Sequence, residues 1–134
     1  MKKTISVILS GLLILIAFSG CNTKSVEDNP VFVIVKITDE NNTIILNEEC
    51  RLPFDSTAAD ALEVACRAKK IAYQNKNGLY DDFNGIHSEK EKGWLFFFNE
   101  KLAEQGLEQT ELKSNGKNVV EMRYVNFEEM FKNQ

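Results

Sequence analysis

Between Val31 and Ile37, apolar side chains fall on every second position (Val31, Val33, Val35 and Ile37), and their β-branched shape favours a half-buried strand. A polar turn, Asp39-Glu40-Asn41-Asn42, breaks the pattern. Beyond it Ile44, Leu46, Cys50, Leu52 and Phe54 share one parity, interrupted only by Glu48, so a β-hairpin is expected over 31–52. Asp55, Ser56 and Thr57 then offer capping oxygens, and Asp60 stands three residues past Thr57, where its carboxylate can reach back to the cap amide. The spacing of Ala58, Ala61, Leu62, Ala65 and Cys66 predicts a helix over 58–69 with one apolar stripe. Small side chains in that stripe let the helix lie close on a sheet. Arg67, Lys69 and Lys70 suit the negative pole of its dipole.

Past the helix, 71–73 and 79–83 flank Asn77-Gly78, a pair whose tolerance of positive φ predicts a tight turn. A strong strand follows over 94–98, bounded by Gly93 and Asn99. Gly116 marks a turn before a last strand over 119–125, in which Val120, Met122 and Tyr124 share a face. The tail, 127–134, has Phe127, Met130 and Phe131 spaced for one side of a short helix. Strands before and after a single main helix indicate an α+β fold, a mixed sheet packed on one helix, and not alternating βαβ winding.

The amino-terminal residues change the picture from fold to address. Lys2 and Lys3 precede an uncharged apolar stretch from Ile5 to Phe18, and Ser19 and Gly20 then lead directly into Cys21. That is the layout of a cleaved secretion signal over 1–20. The apolar stretch is shorter than the roughly 20 residues that cross a bilayer core. A cysteine directly after the cleavage point is the mark of a lipoprotein, although Phe18 stands where Leu is usual. The expectation is a diacylglycerated Cys21 at the mature amino terminus, a polar tether over 21–30 and one domain over 31–126, held by lipid on the outer side of the cell membrane. An ordinary secreted protein with a spare cysteine is the alternative. Without the first twenty residues, which hold two lysines and no acid, the 16 basic and 20 acidic side chains become 14 and 20, a formal charge of −6. Nucleic acid is not an expected partner for such a chain.

Export also bears on Cys50 and Cys66, since disulfides persist outside the cytoplasm. One lies on the apolar parity of the second strand and the other on the inward helix stripe, so a bridge stapling helix to sheet is expected, with two separately buried thiols as the alternative. His87 is the sole histidine. No nucleophile elbow accompanies it, and the spacings of a zinc site are missing, so neither catalytic nor metal-binding residues are expected. Asp81, Asp82 and Asn84 before Gly85 read as a turn, their ligand ladder being out of register for calcium. The run Trp94-Leu95-Phe96-Phe97-Phe98 is apolar on both faces of a strand. One face must serve the core; the other is either covered by a neighbour or left as a platform for a flat apolar ligand.

Ser56-Thr57-Ala58-Ala59-Asp60-Ala61-Leu62, then Phe83-Asn84-Gly85-Ile86, then Gly93-Trp94-Leu95-Phe96-Phe97-Phe98-Asn99, and finally Gly116 through Glu121-Met122-Arg123-Tyr124, resemble the transcobalamin-like C-terminal domain family, widespread in bacterial surface domains and lipoproteins. The likeness spans 31–125, and its most specific part is the Gly-Trp-x-aromatic-x-x-Asn strand. Glu100 departs from the family's usual Gly, Met122 from its frequent Trp, and Lys117 from its usual Asp. The resemblance implies a β-grasp-like fold and a non-enzymatic ligand-binding module, with cobalamin or a related corrinoid as ligand. Trp94, Phe96 and Phe98, with Tyr80, Phe83 and His87 nearby, would then form the ligand surface. The vertebrate carriers of this family add an all-helical domain that supplies much of the cobalamin cage, and this chain has no room for one. A module contacting an envelope protein or a membrane importer stays open as the second expectation.

Overall fold

The computed structural model describes residues 29–132. The expected signal segment and Cys21 lie outside them. The chain order is β1 (Val31–Thr38), β2 (Ile44–Leu52), α1 (Ala58–Ala68), β3 (Tyr73–Lys76), β4 (Leu79–Phe83), β5 (Ile86–His87), β6 (Lys92–Phe98), β7 (Lys101–Leu102), β8 (Val119–Asn126) and α2 (Phe127–Phe131). This is a mixed α+β arrangement, mostly sheet. Among the described residues no helix is long and apolar enough to cross a membrane.

Five strands form one sheet in the order β2-β1-β8-β6-β7, with β1 and β8 parallel at its centre and the other pairs antiparallel. The alternation read from sequence decides which face is inside. Val31, Val33, Val35 and Ile37 are all but sealed from solvent, as are Val120, Met122 and Tyr124 of β8, which the pairing sets on the same face. Helix α1 lies across that face with Ala58, Ala61, Leu62, Ala65 and Cys66 turned inward. A smaller sheet, β3-β4-β5, completes the second layer and brings Tyr80 and Phe83 into the same core.

The caps and turns follow their sequence signals closely. The Asp60 amide donates to Thr57 Oγ1 at 3.2 Å while the Thr57 amide donates to Asp60 Oδ2 at 2.9 Å, the reciprocal pair expected at the start of α1. Asp39 Oδ1 accepts from the Asn41 and Thr43 amides and so shapes the turn between β1 and β2. Asn77 and Gly78 both have positive φ, as a tight hairpin turn requires.

Two expectations need correction. The parity of β2 holds for Leu46, Cys50 and Leu52 but fails at both ends, where Ile44 and Phe54 are exposed. A register shift at Ile37/Thr38 displaces the first, and Phe54 falls beyond the last paired residue, Leu52. The third strand begins at Tyr73 and runs to Lys76, later than the apolar signal at 71–73 implied, because its register is set by pairing with β4. The short helix expected in the tail forms as α2, with Phe127 packed on Gly93 and Phe131 exposed.

The segment 103–118 gave little periodic signal, yet it closes the fold. The carbonyls of Thr110 and Leu107 accept the Ala58 and Ala59 amides, satisfying the first free donors of α1, while Leu107 and Leu112 plug the core. Buried Asn118 donates to the carbonyls of Phe32 and Lys113 and accepts the Lys113 amide, tying this segment to β1.

Candidate functional site

The aromatic strand β6 sits near the edge of the large sheet, and its alternation places Trp94, Phe96 and Phe98 on the helix-covered face. Trp94 is only 7% exposed. Its indole meets the rings of Phe83 and Tyr124 edge-on, with centroids 4.9 and 5.1 Å away, and its Nε1 donates to the Ile86 carbonyl at 2.7 Å. Such an aromatic triad with a satisfied N–H is core packing. Tyr80 and Phe83 are buried as well, and the Tyr80 hydroxyl donates to Glu63 Oε1 at 2.6 Å, linking β4 to α1. Burial first, and then that hydrogen bond, push the Tyr80 phenol up from its ordinary range. Trp94, Tyr80 and Phe83 therefore form no open platform; the fold encloses them because the small sheet β3-β4-β5 covers that end of β6.

The outer face of β6 carries Leu95 and Phe97. Phe97 is buried beneath Arg123, whose guanidinium lies 4.1 Å from the ring centroid while donating to Glu121 Oε1 at 2.7 Å. A cation over an aromatic face is thus how the sheet covers its second apolar side without another layer.

Phe96 and Phe98 are left half-buried, and Phe98 borders the opening that this strand does present. A hollow of about 300 Å³ lies between the β6–β7 edge and the following loop, lined by Phe98, Lys101, Leu102, Ala103 and Thr110. Asn99 follows Phe98 at the turn into β7. At positive φ, it accepts the Val119 amide at 2.8 Å and donates to the Lys117 carbonyl at 2.9 Å, so the turn into β7 is fixed against the start of β8. Leu102 and this loop carried no signal in the sequence that set them apart.

His87 stands at the other end of the small sheet. Its Nδ1 lies 2.5 Å from Asp82 Oδ2, and Asp82 is itself buried, with Oδ1 accepting the Gly85 amide at 3.0 Å. The turn read from Asp81 to Gly85 thus also orients an imidazole whose ring is 63% exposed. Among the described residues, no three His, Cys, Asp or Glu side chains cluster as metal ligands. His87 does not border the hollow beside Phe98.

Cys50 and Cys66 face the same interface from β2 and α1, but both are free thiols, so the expected staple is not formed. Burial, reinforced by Glu63 and by Cys50 itself, pushes the Cys66 thiol up to about 12. Cys50 is shifted the same way by burial and Glu48. The pair packs as two small apolar side chains in the core.

No known family profile matches the sequence, and no curated protein matches it. Solved structures do share its architecture. Haptocorrin in complex with Cbi superimposes on 72% of this chain with a TM-score of 0.58 at 10% sequence identity, and the match spans 25% of the haptocorrin chain. At that identity the likeness establishes a common fold with part of haptocorrin. A protein of Ruminococcus gnavus described as a candidate metal binding protein is covered over 97% of its length, with 10% identity over 72% of this chain, but its TM-score of 0.49 is too low to carry a fold assignment.

Proposed function

We propose that this chain is an exported, lipid-anchored binding module that performs no chemistry of its own and takes a corrinoid as ligand. The observation that carries the reading is the fold held in common with part of haptocorrin, a protein solved with Cbi. The strand order, with the first and last strands of the large sheet parallel at its centre, supports the β-grasp-like form of that fold. The reading of Cys21 as lipid-bearing rests on the uncharged stretch and small residues before it.

The hollow beside Phe98 and Leu102 is the natural contact, since it joins an aromatic edge to β7 and the loop that follows it. At about 300 Å³ it has room for one edge of a corrin ring or one of its side chains, at the small end of ligand sites. The domain would accordingly cover one side of a ligand whose other side is held elsewhere, by an importer or a second envelope protein. Phe98 remains in that site, with the Phe96 ring 6.4 Å behind it; Trp94, Tyr80 and Phe83 belong to the core.

Equilibrium dialysis of the mature protein against cobinamide and cobalamin tests the reading. Retention of either, weakened by Leu102→Asp, is the expected result, and Trp94 emission should fall through energy transfer to the bound chromophore. Absence of retention for both corrinoids at saturating concentration would overturn it.

A further inference from the structure

Phe32 and Phe54 are 56% and 58% exposed, while the aromatic side chains of the core are almost fully enclosed. They line one hollow of about 360 Å³, together with Asn29, Pro30, Ser114 and Asn115. Two further hollows open beside it, one bordered by Phe32 and Lys117 and the other by Phe54 and Lys113. Two large apolar rings standing in water at a single pole of a small domain mark a contact surface. That pole is also where the described chain begins.

We infer that the Phe32/Phe54 pole is the surface this protein lays against the bilayer, with both phenyl rings entering the headgroup region. The inference rests on the reading of Cys21 as the lipid-bearing residue. Seven residues lie between Cys21 and Asn29, so the eight Cα–Cα steps can span at most about 29 Å. Asn29 and Pro30 are part of the hollow itself, so a lipid held on Cys21 keeps this pole within one tether length of the membrane.

The opposite end of the sheet is differently placed. The side chain of Asn118, just before β8, donates to the Phe32 carbonyl, and β8 then runs eight residues, about 27 Å, before α2 and Phe131. The anchor itself brings a membrane to the Phe32 side. The rim chemistry fits the same occupant. The Arg51 guanidinium lies 6.0 Å from the Phe32 ring centroid, and Lys113 and Lys117 flank the pole with stems long enough to place ammonium groups among phosphates. Glu49, Asp55 and Glu111 stand among them, so the surface carries no strong positive field. Ring insertion, not charge, must supply the attraction, and zwitterionic lipid suffices.

The test uses the mature lipidated protein reconstituted into phosphatidylcholine vesicles brominated near the headgroup end of the acyl chains, with single substitutions Phe32→Trp, Phe54→Trp and, as the distal control, Phe131→Trp. Flotation with the vesicles checks the anchor. The expected result is strong quenching and a blue shift for the tryptophans at 32 and 54, several times the effect at 131, with buried Trp94 of the unsubstituted protein unaffected. Protein that floats but is quenched equally at all three positions would leave the anchor standing and overturn the membrane-facing pole. Protein that does not float overturns both.

Discussion

Two sets of aromatic side chains lie toward opposite ends of the large sheet, and the fold treats them in opposite ways. Around Trp94, the rings of Phe83 and Tyr124 pack edge-on and the indole N–H finds a carbonyl. At the other end Phe32 and Phe54 stand more than half in solvent beside the first described residues. Residue type does not separate the two sets; the neighbours do. Trp94 has a second sheet laid over it, whereas Phe32 lies on the outer face of β1 and Phe54 just past the end of β2, where nothing in the described chain covers them. Clusters of aromatics in sequence therefore point to cores at least as readily as to ligand sites.

The contrast can be broken most severely at Trp94. Trp94→Ala removes the centre of a closed triad and should destabilise the fold by about 3–5 kcal/mol, read as a lowered urea midpoint. Next comes Gly93→Ala, where a new Cβ would stand 2.7 Å from Phe127 Cζ and 3.0 Å from Ser88 Oγ. Because the Phe127 ring tip can move with the short helix α2, a loss of about 1–2 kcal/mol is expected, with faster amide exchange confined to the tail.

The alkaline limb sharpens the same comparison, since burial raises the Tyr80, Tyr124, Cys66 and Cys50 acids, while Phe32 and Phe54 do not titrate. The Cys66 thiol is raised in the folded state, so its contribution is complete below the unfolded thiol's pKa and declines as pH rises towards about 12. Tyr80 and Tyr124 are shifted in the same direction by burial and add to the decline. For Cys66 alone the loss should reach about 1–2 kcal/mol by pH 10, and Cys66→Ala should flatten that part of the stability–pH curve.

A smaller gain is expected at the turn that ends the aromatic strand. Glu100 holds φ at +72°, a conformation that costs a side chain with a Cβ, and its ion pair to Lys117 is a long, exposed 3.9 Å. Glu100→Gly should stabilise the protein by about 0.5 kcal/mol in chemical unfolding, the relief being partly offset by glycine's greater freedom when unfolded. Smallest of all are Phe32→Ser and Phe54→Ser. In free solution each should change stability by no more than about 0.5 kcal/mol, while weakening the vesicle contact proposed for that pole.

Local chemistry was enough to reveal the hairpin over 31–52, the reciprocal cap of Thr57 and Asp60, the Asn77-Gly78 turn and the inward stripe of α1. In each case the signal and the structure it dictates lie within a few residues of one another. A period of two buries Val31 to Ile37 on one side, and a cap closes only against its own first turn. The tertiary structure alone decided which rings are enclosed, that Cys50 and Cys66 stay unbridged, and that the loop over 103–118 both caps α1 and walls the hollow beside Phe98. These depend on contacts between segments far apart in the chain, such as Asn118 with Phe32 and Trp94 with Phe83, and no local periodicity encodes them.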